Sequence, residues 1–415
     1  MERLQQIGNH IFARQGVNTK SPDDVVIVSA YRTALTKAGK GKFKDVNSDE
    51  LLMKLVANMI QKDKLDASLV EEVVVGNVLN PGAGVNEHRA AVLAAGIPAS
   101  SSFEAVNRQC SSGLMAVNSI ANKILLGQIS CGLAAGVESM SQNYGPQAAP
   151  KISDAVLKKN RDAKGCLLPM GTTSENVNEA YSISRQDQDE FAARSYQKAE
   201  SAVKGGLFKE EIMPIEVEIA EDDDEDEENG GVTAKVTVDT DEGVRAGVTA
   251  ASLAKLRPAF KKDGSSHAGN SSQVTDGAAA VLLMRRSLAT ELGLSILGKY
   301  VATTSVGVAP EIMGVGPAYA IPKLLERCGI AADQISAFEI NEAFAGQALF
   351  TAKHNNIPLE KVNPRGGAIA LGHPLGATGA RQVCTLLREL EPGQLGVTSM
   401  CIAGGQGAAA LFVRE

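Results

Sequence analysis

A run of buried strands and helix-periodic segments near the N-terminus returns in the same order near the C-terminus, and this recurrence limits the possible folds more than any other feature. In the first set, Val25–Ala30 and Ile129–Gly136 are continuous apolar runs of the kind found in strands covered on both faces. Asp49–Gln61 has helical spacing, and Val70–Asn77 is strand-like. Leu114, Val117, Ala121 and Leu125 then mark a second helix. In the second set, Ile296–Val306 is strand-like, Pro317–Cys328 helical and Ile335–Asn341 a strand. Val362–Asn363 echoes Val106–Asn107 ahead of a glycine-rich turn and a helix over Ala377–Leu390, and Gln394–Cys401 echoes Gln128 onward. Offsets of roughly 255 to 270 residues predict a duplicated α/β unit. Residues 25–290 form the first half and 291–415 the second.

Between the halves the composition changes. About 144–248 reads as an inserted loop domain, with a polar helix over Arg185–Gly205 and strand alternation in Val232–Val238. Eight consecutive carboxylates, Glu221 to Glu228, account for the whole net charge of -7. Adjacent carboxylates repel one another, so this run is expected to be a solvated loop tip. The charge balance excludes a nucleic-acid binder, and no apolar run reaches membrane-spanning length. Six scattered cysteines without paired spacing fit a reducing compartment and give no zinc signature. The 41 glycines imply close backbone packing.

Residues 1–24 read as a leader and linker. Arg3, Leu4, Ile7, His10 and Ile11 share one face of a short helix, and no secretory core is present. The segment resembles the N-terminal nonapeptide of peroxisomal matrix proteins, although Ile11 is an unusual last residue. A mitochondrial presequence, with Arg14 as a second base, and a frayed terminus are the rival readings.

Four polar stretches interrupt the apolar pattern at strand ends or helix starts. Val106–Leu114 places Cys110 just ahead of a helix, where free N–H groups and the positive end of the dipole are expected to lower the thiol pKa. A small buried residue at a strand-to-helix turn is the alternative. In Gly366–Gly379, His373 lies among glycines that let backbone approach a ligand closely, and Pro374 suits a first helical turn. In Cys401–Gly407 a second cysteine ends a strand, in a turn whose free amides suit an oxyanion. Asn341–Phe344 also ends a strand, where α/β sheets gather ligands.

These stretches together, Asn107–Gly113, Asn341–Phe344, Gly372–Pro374 and Cys401-x-Ala403-x-Gly405, resemble the thiolase family over about Val25–Glu415, most closely its peroxisomal 3-ketoacyl-CoA branch. Gly136–Ser141 and Ala268–Gly277 add to the match. The resemblance implies a homodimer of two βαβαβ-type halves in five αβαβα layers, with the insertion binding coenzyme A. It also implies thiolytic cleavage of 3-ketoacyl-CoA in fatty-acid β-oxidation, in the peroxisome, with an import receptor as a partner of the leader. No metal or redox cofactor is implied, because coenzyme A is a co-substrate.

By resemblance, Cys110 is the nucleophile and His373 its base, and Asn341 holds a water that helps bind the enolate oxygen. Cys401 moves protons, and the N–H groups of Cys110 and Ala403 form a second oxyanion hole. Coenzyme A contacts are expected from Met170, Arg245, Phe260, Ala268, Gly269, Ser272 and Phe344. Three features depart from the family pattern: Ala403 in place of a glycine, His267 in place of a common threonine, and the acidic run. The alternatives are an acetoacetyl-CoA thiolase acting biosynthetically and a non-catalytic acyl-CoA or sterol carrier. A carrier would lack one or more of Cys110, Asn341, His373 and Cys401.

Overall fold

The computed structural model describes residues 17–145, 148, 150–220 and 233–415. The helical leader face and the acidic run both lie outside these residues. The elements of the first half are β1 (Val25–Arg32), α1 (Ser48–Asp63), β2 (Glu72–Gly76), α2 (Val85–Ala94), β3 (Ser102–Val106), α3 (Ser112–Leu125) and β4 (Cys131–Glu138). The chain then leaves the sheet for α4 (Met170–Ala180), α5 (Arg185–Lys204) and the hairpin β5 (Ile215–Ala220) and β6 (Thr233–Val238). It returns as β7 (Thr275–Arg285). In the second half come β8 (Gly298–Gly307), α6 (Gly316–Cys328), β9 (Ile335–Ile340), α7 (Ala345–His354), α8 (Thr378–Glu389), β10 (Leu395–Ile402) and β11 (Gln406–Arg414).

The main sheet runs β9-β10-β11-β8-β1-β7-β4-β2-β3. Its two ends mirror each other. In each half two strands run parallel (β2 with β4, β9 with β10), and an antiparallel strand follows (β7 beside β4, β11 beside β10). The halves meet where β1 and β8 pair antiparallel at Val26–Lys299 and Ile27–Gly298. Val362 bridges Phe338 in parallel and stands in the second half where β3 stands in the first. The duplication is therefore one of topology. It is interrupted only between β4 and β7, where the inserted segment replaces the short turn that joins β10 to β11.

Alternation along the strands sorts side chains into two cores. Val74, Ala134, Ala279, Val281, Leu283, Ala408, Ala410 and Phe412 face α3 and α8, which pack against each other between the sheet halves. Their neighbours Val73, Val75, Leu133, Ala280, Leu282, Ala409 and Leu411 face outward. There α1 covers the first half and α6 the second. The result is five layers, α-β-α-β-α. The insertion is tied to β1 by Arg32, a fully buried guanidinium held by Glu211 at 2.6 Å and by both oxygens of Asp241 at 2.7 and 2.9 Å.

The two central helices begin close together because the residues at their crossing lack side chains. A Cβ on Gly113 would lie 2.6 Å from the Gly376 carbonyl oxygen, and one on Gly136 would overlap that same atom. One on Gly376 would lie 2.6 and 2.7 Å from the Val137 and Gly76 oxygens. Gly136→Ala should therefore lower stability by about 1–3 kcal/mol, the usual cost of overpacking a rigid site, and depress activity with it. Gly307→Ala, with open space at its Cβ, is the control. Thermal unfolding of both variants checks this, and equal midpoints would contradict the close contact.

Candidate active site

The turn ahead of α3 is bound up by its own side chains. Asn107 Oδ1 accepts from Gln109 N (2.9 Å), Ser111 Oγ donates to Arg108 O (2.9 Å), and Ser112 Oγ donates to Gln109 O (2.7 Å) while accepting from Arg108 N (2.9 Å). These bonds hold Gln109 at φ +47°, a left-handed conformation uncommon for a side chain of this kind. Cys110 follows directly and is 8% exposed. The backbone N–H groups of Cys110 and Ala403 lie where they favour a charge on its sulfur. The positive φ angles of the second turn fall on Gly404 (+81°) and Gly405 (+87°), not on Ala403. An alanine thus fits where the family pattern has glycine.

His373 enters from the opposite turn. Gly372 has φ +120°, and its missing side chain leaves room for Thr275. The backbone N–H of His373 donates to Gln273 O at 3.0 Å. Thr378 Oγ1 lies 2.6 Å from Nδ1 and donates its own hydrogen to Pro374 O at 3.0 Å. The hydroxyl must then accept from Nδ1–H, which leaves a lone pair on Nε2. The Asn341 amide nitrogen faces that lone pair at 3.2 Å. Asn341 is held by its N–H to Ser399 O (2.8 Å) and by Gln347 Nε2 on its carbonyl (2.7 Å). Asn341 Oδ1 is buried with no partner among the described residues, so a polar group remains available for a ligand or water.

Cys401 is fully buried near the end of β10, in a small apolar cluster with Met313, Ala343 and Phe344, against which Met170 packs. Phe260 meets Phe344 edge to face at 5.9 Å, and Gly171 makes room for its ring. Ser272 N–H donates to Ala343 O at 2.9 Å, which brings the Ala268–Gln273 loop to the same wall. Ala268 is exposed, and the Gly269 N–H donates to His267 Nδ1 at 3.0 Å. His267 is buried and also donates from Nε2 to Asp189 at 2.7 Å, so it braces this loop. Arg245 is exposed, two residues beyond Gly243, whose carbonyl accepts from Gln273 Nε2 at 3.0 Å. Met170, Phe260, Ser272 and Phe344 thus gather at one wall, with Gly269 and Ala268 on its loop and Arg245 farther out. Thr378, Met313 and Gln347 belong to the site as well. Only Thr378 carried a signal in the sequence, as a hydroxyl in the same glycine turn as His373.

Burial overturns one expectation. The helix start was expected to lower the Cys110 pKa. Desolvation instead raises it to about 11, against the pull of the Ala403 and Cys110 N–H groups. Burial, helped by the charge on Arg381, lowers His373 to about 3. Cys401 is raised too, by burial first and then by Cys110. At rest the thiol and the imidazole are both neutral, not a thiolate–imidazolium pair. It follows that alkylation of Cys110 by iodoacetamide should speed up about tenfold per pH unit from pH 7 to 9, as the thiolate fraction grows. A rate already at plateau by pH 7 would contradict the neutral pair.

Comparison with known proteins agrees with the geometry. Residues 25–287 match the family model described as thiolase, N-terminal domain, and residues 294–414 match that for thiolase, C-terminal domain. The peroxisomal 3-ketoacyl-CoA thiolase A of Candida tropicalis is 56% identical over 418 residues, covering 100% of both chains. The crystal structure of the dimeric peroxisomal thiolase of Saccharomyces cerevisiae superposes with a TM-score of 0.89 at 57% identity, covering 96% of this chain and 99% of that one. Another structure of the Saccharomyces cerevisiae enzyme, described as five-layered and built from two core domains of identical topology, gives a TM-score of 0.79 at 52% identity over 95% and 99% of the chains. A chain with this fold, this pairing of cysteines and a family match across both halves belongs to the thiolase family.

Proposed function

We propose that this chain is a dimeric peroxisomal 3-ketoacyl-CoA thiolase that cleaves 3-ketoacyl-CoA with coenzyme A in β-oxidation. The observation that carries the reading is the convergence of two cysteines, a neutral histidine and directed backbone N–H groups in one buried site. In the first half-reaction His373 Nε2 takes the Cys110 proton as the sulfur attacks the ketone carbon. The carbon–carbon bond then breaks, leaving an acyl thioester on Cys110 and the enolate of acetyl-CoA. His373, now protonated, and a water held by Asn341 stabilise the enolate oxygen, and Cys401 protonates the carbanion. In the second half-reaction the Cys401 thiolate takes the proton of incoming coenzyme A, whose sulfur attacks the thioester. The N–H groups of Cys110 and Ala403 bind the tetrahedral oxygen, and acyl-CoA leaves as Cys110 regains its proton. A raised Cys401 pKa suits this role, because the group must start as an acid.

Met170, Phe260, Phe344, Ala268, Gly269 and Ser272 are proposed to line the path of the pantetheine arm, with Arg245 toward the phosphates. Identity of 56–57% to peroxisomal 3-ketoacyl-CoA thiolases favours this activity over a biosynthetic acetoacetyl-CoA enzyme. Incubation with acetyl-CoA should acylate Cys110 alone, and Cys110→Ala should abolish the label. Cys401→Ala should still acquire label slowly while losing about 10²–10⁴-fold in thiolysis, the usual cost of a missing general acid. Peptide mapping and thiolysis rates check this, and label on Cys401 of the unmutated protein would overturn the division of roles.

The leader is proposed to bind the peroxisomal import receptor through the face carrying Arg3, Leu4, Ile7 and His10. Residues 1–20 fused to a fluorescent reporter should reach peroxisomes, and Arg3→Glu should release them. A mitochondrial or cytosolic signal from the unmutated fusion would contradict this.

A further inference from the structure

Two side chains behind the site stand in an arrangement that their contribution to stability does not account for. Arg381 on α8 donates from Nη1 to Glu339 Oε2 on β9 at 2.7 Å, and both side chains are at most 1% exposed. The pair is single-pronged: Arg381 Nε and Glu339 Oε1 are buried without partners among the described residues. A buried ion pair satisfied this incompletely is weak support for stability, since desolvation offsets much of the attraction.

The position of the pair is more informative. On a helix, residues three and four apart share a face, so Thr378, Arg381 and Gln382 point the same way from α8. Thr378 holds His373, while Arg381 and Gln382 both grip Glu339, the latter through Nε2 to the backbone oxygen at 2.9 Å. Along a strand, residues two apart share a side, and Glu339 precedes Asn341 by two. The contacts close a ring that runs from Asn341 to His373, Thr378, Arg381, Glu339 and back to Asn341.

We propose that Arg381 and Glu339 are positioning residues which, by clamping α8 to β9, set the separation of Asn341 and His373 and so the geometry that receives the enolate oxygen. The proposal rests on the thiolase reading of the site. Arg381 also presents its positive end to the imidazole and makes it harder to protonate. Other ionisable groups lie on the elements packed around His373: Cys110 ahead of α3, Glu138 at the end of β4, Asp276 on β7, Glu342 after β9 and Cys401 on β10. All of them are unchanged in the test variants.

The test uses purified full-length protein carrying Arg381→Met, Arg381→Lys or Glu339→Gln, with rates normalised to active sites titrated by Cys110 alkylation. A misplacement of about 1 Å costs on the order of 10²-fold. Arg381→Met should accordingly lose about that much in kcat for acetoacetyl-CoA thiolysis, with KM for coenzyme A within about twofold, the pattern of an interaction felt in the transition state. Arg381→Lys should recover part of the loss. The acid limb of kcat/KM should move to higher pH in Arg381→Met, which removes the positive charge, and not in Glu339→Gln, which keeps it. Variants that melt earlier but keep the unmutated kcat per titrated site and an unmoved acid limb would overturn the proposal and leave only a packing role. If Arg381→Met fails to fold, kcat per site in Arg381→Lys and Glu339→Gln decides the matter: a drop in both supports the clamp and unchanged values overturn it. Absence of thiolysis by the unmutated protein would overturn the functional reading and the proposal together, an outcome distinct from equal turnover in all four proteins.

Discussion

The backbone contact among Gly113, Gly136 and Gly376 is the constraint on which the active site depends, because it joins the two halves at the level of the catalytic turns. Close approach of this kind leaves polar backbone groups without water, and Glu138 satisfies several of them. Its carboxylate is fully buried and accepts from Gly376 N at 2.8 Å, from Val78 N and Leu79 N at 3.1 Å each, and from Asn77 Nδ2 at 3.0 Å. Burial raises its pKa to about 7 even though these four donors favour the charged form. One acid thus links the loop after β2 to the turn before α8. Cys110, just ahead of α3, and His373, held by Thr378 of α8, are thus set by elements on the two sides of one seam.

The same dry seam explains the protonation states. A helix start offers a thiol a positive field, but an electrostatic gain of that size is outweighed when the sulfur loses its hydration. In the proposed mechanism a resting thiolate would compete for the Ala403 and Cys110 N–H groups that the tetrahedral oxygen needs later. Keeping Cys110 and His373 neutral reserves those donors for the charge that develops during reaction.

Most of the fold was legible in the sequence because buried strands announce themselves. Val25–Ala30, Ile129–Gly136 and Gln394–Cys401 each became a strand with only small shifts in its ends. β7 was not legible as a strand: in Thr275–Arg285 an aspartate, a glycine and three alanines follow the first residue, all of little strand preference, and its place is decided by the neighbours it pairs with. Cys110, Asn341, His373 and Cys401 drew attention in the sequence because chemistry-bearing side chains at strand ends stand out against an apolar background. Thr378 and Met313 act through contacts made only when distant segments meet, and a threonine or methionine alone in a sequence gives no such signal. The Cys110 pKa was misjudged for the same reason, since burial is a tertiary property.

The duplication also shows how one scaffold came to carry different chemistry in its two halves. Asn77 follows β2 and Asn341 follows β9, but they face different ways: Gly76 is the residue that faces α3 in the first half, whereas Ile340 lies in the outer core and Asn341 turns toward His373. Asn77 gives its amide to Glu138 and to Val137 O, and has become part of the seam. At the position that corresponds to Glu138, the end of β10, stands Ile402, which has no charge to offer. The Asn341 amide nitrogen faces His373 Nε2 instead, at 3.2 Å. The first half supplies Cys110 and the Glu138 seam, while the second supplies Asn341, His373 and Cys401.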